Sequence, residues 1–112
     1  MNTYLILIRE DVSRMSKLSE AEFQHELEQF TRWVEEMSAT GNYISGDPLE
    51  TGGRYLKKDS IVSDGPFIES KEAISGYLII QAKDMDAAVK LAQKCPIFQY
   101  EGAVELRQIM KM

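Results

Sequence analysis

Two short stretches, Tyr4-Leu5-Ile6-Leu7-Ile8 and Tyr77-Leu78-Ile79-Ile80, are apolar or aromatic at every position. They set tighter limits on the architecture than any other feature of the chain. Their residues are mostly β-branched, leucine or aromatic, and they read as strands over Thr3 to Arg9 and Ser75 to Ala82. Successive side chains of a strand point to opposite faces. Tyr4, Ile6 and Ile8 therefore share one side and Leu5 and Leu7 the other. In the second strand Leu78, Ile80 and Ala82 oppose Tyr77 and Ile79. Each strand has two faces to keep from water.

The helices expected to cover one of those faces carry clear start and stop signals. Ser19 with Glu22 three residues on forms a capping box, and Leu18 and Phe23 occupy the positions of a hydrophobic staple. Phe23, Leu27, Phe30, Val34 and Met37 follow at helical spacing as an apolar stripe, and Gly41 is a natural stop. This predicts a helix from Glu20 to Thr40. A second helix, Met85 to Lys94, starts at the N-cap Asp84 and ends before Pro96. Its expected buried face is Met85, Ala88, Val89, Ala92 and Cys95.

The remaining segments are short. Asp11 to Lys17 is polar and reads as a loop, and Asn42 to Leu49 as a short strand or extended segment interrupted by Gly46, Asp47 and Pro48. Arg54–Lys57 and Ser60–Ser63 read as strands around Lys58-Asp59. Gly52-Gly53 and Asp64-Gly65-Pro66 are turn signals, and Ala103 to Ile109 is the last strand. The order is strand, helix, short strands, strand, helix, strand. It predicts one α+β domain over residues 1–112, ferredoxin-like β-α-β-β-α-β with extra short strands in the middle.

Both helices of such a plan lie on the same side of the sheet. The second apolar face then needs another cover. Loops from the middle of the chain are one candidate. The same face of a second copy is the simpler one, and it predicts a homodimer closing into an α+β barrel.

Composition excludes several classes. A net charge of −5 over 112 residues, with Lys57-Lys58 as the densest basic pair, argues against a nucleic-acid partner. The first apolar run is too short to span a membrane and lacks the flanks of a signal peptide. With a single cysteine, Cys95, no intramolecular disulfide forms. The expected location is the cytoplasm. One histidine and no Cys–His cluster predict no metal and no cofactor.

The stretch Asp64-Gly65-Pro66-Phe67-Ile68-Glu69-Ser70-Lys71-Glu72, followed by Ser75-Gly76-Tyr77, resembles the signature of the DGPF subgroup of YCII-related proteins. Asp84-Met85-Asp86-Ala87-Ala88, Cys95-Pro96 and Gly102-Ala103-Val104-Glu105-Leu106-Arg107 are similar to the same family. Gln108 departs from it, standing where the family usually has proline. The resemblance implies a dimeric α+β barrel. It carries no established reaction. The His–Asp pair proposed for the founding branch does not transfer, because the single histidine, His25, stands on the polar side of the first helix.

Candidate site residues follow from chemistry and position. Asp64 is either a turn-forming carboxylate or one aimed by its turn into a pocket. Glu72 closes the charged run Glu69, Lys71, Glu72, which is either a solvated loop or a source of a general base next to a buried strand. Asp64 and Glu72 are the catalytic candidates. Phe67, Lys71, Tyr77, Glu105 and Arg107 are the substrate-binding candidates. Glu105 and Arg107 share one face of the last strand, where Arg107 is suited to grip a carboxylate or enolate with two parallel bonds. The alternative for that pair is mutual neutralisation at the surface. Two functions remain open: a small-molecule binder or proton-transfer enzyme, and a non-catalytic accessory protein. The second draws on the resemblance, since DGPF-type members are often encoded beside extracytoplasmic-function sigma factors.

Overall fold

The first apolar stretch lies within a ten-residue strand, β1 (Asn2–Asp11), whose side chains from Thr3 onward alternate between half-buried and buried. The computed structural model describes residues 1–63 and 72–112, and for residues 61–63 and 72 the backbone only. After β1 come a one-turn helix α1 (Val12–Met15), the long helix α2 (Glu20–Ala39), and strands β2 (Tyr43–Pro48), β3 (Tyr55–Lys57) and β4 (Ser60–Ser63). Strand β5 (Glu72–Ala82), helix α3 (Met85–Ala92), a 3-10 turn (Pro96–Tyr100) and β6 (Ala103–Gln108) complete the chain. The predicted turn at Asp64-Gly65-Pro66 lies outside the described residues.

The fold is mixed α+β, with an antiparallel four-stranded sheet in the order β2-β5-β1-β6. Strands β3 and β4 pair with each other as a separate two-stranded sheet. One face of the large sheet is packed under α2 and α3. There Tyr4, Ile6, Ile80 and Ile97 are fully buried, with Trp33, Met37, Leu78, Ala88 and Ala92 around them. Burying each large aliphatic side chain contributes about 1.5–3 kcal/mol. The Trp33 indole N–H donates to the Leu91 carbonyl at 3.0 Å, which ties α2 to α3.

The start signals act as read. Ser19 and Glu22 form the reciprocal capping box, and Asp84 accepts from the Ala87 N–H. Gly41 follows α2 in the left-handed region, at φ +76°. Three expectations are corrected. Asp11 to Lys17 is not all loop: the Asp11 carboxylate accepts from the Ser13 N–H at 2.9 Å and caps α1. The buried line of α2 is Glu26, Trp33 and Met37, while Phe23 and Leu27 are exposed. At about 100° per residue, Phe23 and Leu27 sit about 60° and 100° round the helix from that line. The apolar stripe is therefore offset from the sheet, because Trp33 bonds to α3 and Glu26 meets an arginine. On α3, Met85 and Val89 are exposed, so Ala88, Ala92 and the following Cys95 make its buried face.

Two irregularities bear on the site. Between Ile8 and Arg9 the pairing with β5 shifts by one residue, leaving Ser75 as a bulge. At the sheet edge, β2 approaches β5 so closely that a Cβ on Gly46 would stand 2.6 Å from the Tyr77 carbonyl oxygen. Gly46→Ala is expected to destabilise the protein by about 1–3 kcal/mol through that overpacking. Gly52→Ala, where a Cβ would meet nothing within 4 Å, is expected to stay within about 0.5 kcal/mol of the parent. Urea denaturation of the two variants checks the contrast.

Candidate functional site

Among the described residues no helix lies on the second face of the sheet, and strand register fixes which side chains meet there. Leu7 lies between Tyr77 on β5 and Glu105 on β6, and Asp47 on β2 stands opposite Tyr77. In the next row Leu5 lies between Ile79 and Arg107, with Ser45 opposite Ile79. Leu5, Leu7, Tyr77 and Ile79 thus form a half-buried apolar patch two strands wide. Polar groups flank it on both sides. Neighbouring strands are about 4.8 Å apart, so Tyr77 and Glu105 face each other across Leu7 at about 10 Å.

On the β6 side, Glu105 accepts from two arginines. Arg9 Nη2 is 3.1 Å from Oε1 and Arg107 Nη1 is 3.3 Å from Oε2. Hydrogen bonds from Arg9, then Arg107, hold the Glu105 carboxyl below its ordinary pKa. The trio carries one excess positive charge. Arg107 is the most open of the three, and this bond is the one its side chain makes among the described residues. A guanidinium has five N–H donors, so Arg107 retains capacity for an anion. On the β2 side the Tyr77 hydroxyl donates to Asp47 Oδ2 at 2.8 Å, and that bond raises the Tyr77 pKa.

Register therefore brings Tyr77, Glu105 and Arg107 together on one face. The backbone of Glu72 pairs with Asp11 at the end of the β1–β5 ladder. Asp64, Phe67 and Lys71 lie outside the described residues. Arg9 belongs to the cluster and was not among the candidates. Its signal was present in the sequence, since it continues the Leu5, Leu7 alternation.

The helix side holds a second polar cluster that the sequence reading missed. Glu10 and Glu26 are 6% and 8% exposed, and Arg14 bridges them at 3.0 and 2.7 Å. The bulged Ser75 donates to the second oxygen of Glu10. The Arg14 guanidinium stacks on the Tyr100 ring at 4.8 Å, and the Tyr100 hydroxyl donates to Gln29. Burial pulls the Arg14 pKa down, but its bonds to Glu26 and Glu10 outweigh that and leave it raised. These groups join β1, α1, α2, β5 and the 3-10 turn. A pair of buried carboxylates tolerates this setting only because the arginine and serine satisfy it.

An open groove of about 500 Å³ lies beside α1, lined by Val12, Ser13, Met15, Ser16 and Thr51. Among the described residues no charged side chain lines it to fix a ligand's orientation, so the sheet face with its arginines is the better candidate. Burial pushes the Cys95 thiol up to about 12, which leaves it a poor nucleophile. His25 is exposed. Among the described residues no group of three His, Cys, Asp or Glu is placed to hold a metal ion, and no helix is long and apolar enough to cross a membrane.

The family model of the YCII-related domain matches residues 3–112. The chain belongs to the YCII-related family. No curated protein matches it significantly.

The Glu105 cluster generates a pH expectation. The carboxyl titrates lower in the folded chain than in the unfolded one. Its stabilisation is therefore present above the ordinary glutamate pKa and lost as pH falls through the depressed value. In an NMR titration the Glu105 carboxyl midpoint is expected below the ordinary range, and to move up in Arg9→Gln and Arg107→Gln. An ordinary midpoint that neither substitution moves would contradict the cluster.

Proposed function

We propose that this YCII-related chain binds a small anionic molecule, carboxylate-bearing or phosphate-bearing, in a chamber formed when two copies join through their open sheet faces. The reading takes each subunit as ferredoxin-like β-α-β-β-α-β and the pair as a dimeric α+β barrel. It also assigns the chain to the DGPF branch, on the strength of Asp64-Gly65-Pro66-Phe67 and the residues that follow.

One observation carries the proposal. A contiguous apolar patch of Leu5, Leu7, Tyr77 and Ile79 is bordered by a trio of residues with net positive charge and an open guanidinium. Apolar surface with a few convergent polar groups is the usual make-up of a ligand site. A second copy would exclude water from it, and the bonds from Arg107 to an anion would then strengthen. Arg9 and Glu105 would hold Arg107 in orientation, and Tyr77 would present its ring and hydroxyl from the opposite wall. The chemistry such a set serves is proton transfer beside a carbonyl, with the anion held by Arg107 and a carboxylate, Glu72 or Asp64, as the base. Phe67 and Lys71 complete the proposed binding set.

Thermal denaturation against a panel of small keto acids, dicarboxylates and phosphate esters tests this reading. A ligand present at about a hundred times its Kd stabilises by about 2.7 kcal/mol, a Tm rise on the order of 10 °C for a chain of this size. The expected result is at least one such shift, lost in Arg107→Ala. That substitution at an exposed side chain should leave the unliganded Tm nearly unchanged. A panel with no effect on the parent, or a shift that survives Arg107→Ala intact, would overturn the proposal.

A further inference from the structure

Residues 54–63 form an arm that is chemically unlike the rest of the chain. Strands β3 and β4, joined by Lys58-Asp59, make a two-stranded sheet that is separate from the main one. A lone two-stranded hairpin is marginally stable in water. This one leaves Tyr55 45% and Leu56 65% exposed. The radius of gyration is 15.2 Å, against about 13 Å for a compact domain of this length. The arm also carries three cations, Arg54, Lys57 and Lys58, and one carboxylate, Asp59. In a chain of net charge −5, that makes the arm +2 and the remainder −7.

We infer that the arm docks on a second copy of the chain, laying Tyr55 and Leu56 against the partner's body with Lys57 and Lys58 on its acidic surface. This rests on the homodimer reading above and adds a contact to it. Opposite charges on arm and body favour a partner with the same acidic body, and they disfavour the arm's own kind. The arm leaves the sheet after β2, an outer strand of the four. From there it extends the area available to an interface beyond the sheet face. Burial of the two exposed aromatic and aliphatic side chains supplies the stabilisation that the hairpin lacks by itself.

A mixed-dimer NMR experiment tests the inference. A nitroxide is attached at Asp59→Cys, in the exposed turn between β3 and β4, in chains of natural isotope content, which are mixed with ¹⁵N-labelled chains of the parent sequence. Cys95 is 3% exposed, so the introduced thiol takes the label. The inference expects line broadening at a contiguous set of amides of the ¹⁵N chain. It also expects Tyr55→Ser with Leu56→Ser to weaken dimerisation by about tenfold or more, with an unchanged far-ultraviolet circular dichroism spectrum. A dimeric mass by light scattering without intermolecular broadening overturns the arm contact and leaves the dimer standing. A monomeric mass at the NMR concentration overturns both.

Discussion

The central β1–β5 ladder has apolar side chains on both sides, and the chain's own helices shelter one of them. That imbalance organises the molecule. On the sheltered side, Tyr4, Ile6, Leu78 and Ile80 meet Trp33, Met37 and the small residues of α3. On the other, Leu5, Leu7, Tyr77 and Ile79 remain half-buried, and among the described residues no helix packs over them. Apolar area left in water forfeits about 25 cal/mol per Å². A patch two strands wide, bordered by paired charges, is the kind of surface that marks interaction sites in other proteins.

The two polar clusters have different work. On the helix side, Glu10, Arg14, Glu26 and Ser75 tie α1 to β1, α2 and β5. The one-turn helix α1 would have little else to hold it, since none of its residues is buried. A buried ionic group of this kind gives small net stability, yet losing one member leaves the others uncompensated. On the open face, Arg9, Glu105 and Arg107 lie nearer to solvent and are only partly neutralised. The first cluster fixes geometry, and the second has donor capacity left for a ligand.

Much of this was legible in the sequence where local chemistry decides the outcome. The Ser19–Glu22 box, the Asp84 cap and the two-sided strands needed no tertiary information. The grouping of Tyr77, Glu105 and Arg107 followed from the period of two along a strand. What escaped depends on long-range partners. Glu26 reads as a surface acid until Arg14 is brought to it from 12 residues away. Ser75 becomes a partner of Glu10 only because the ladder slips by one residue between Ile8 and Arg9. The offset of the α2 stripe reflects Trp33 reaching Leu91 across 58 residues, which no window of helical periodicity contains. The 3-10 turn at Pro96–Tyr100 was hidden behind a proline read only as a stop.

Everything proposed for the site depends on what lies over Leu7 and its neighbours. Sedimentation equilibrium at micromolar concentration, comparing the parent chain with Leu7→Asp, addresses that directly. A parent mass of two chains, reduced to one in the folded variant by a carboxylate at the centre of the patch, is the outcome expected. A parent that sediments as a single chain, or a dimer indifferent to the new charge, would mean that the face is covered some other way and that no shared chamber exists.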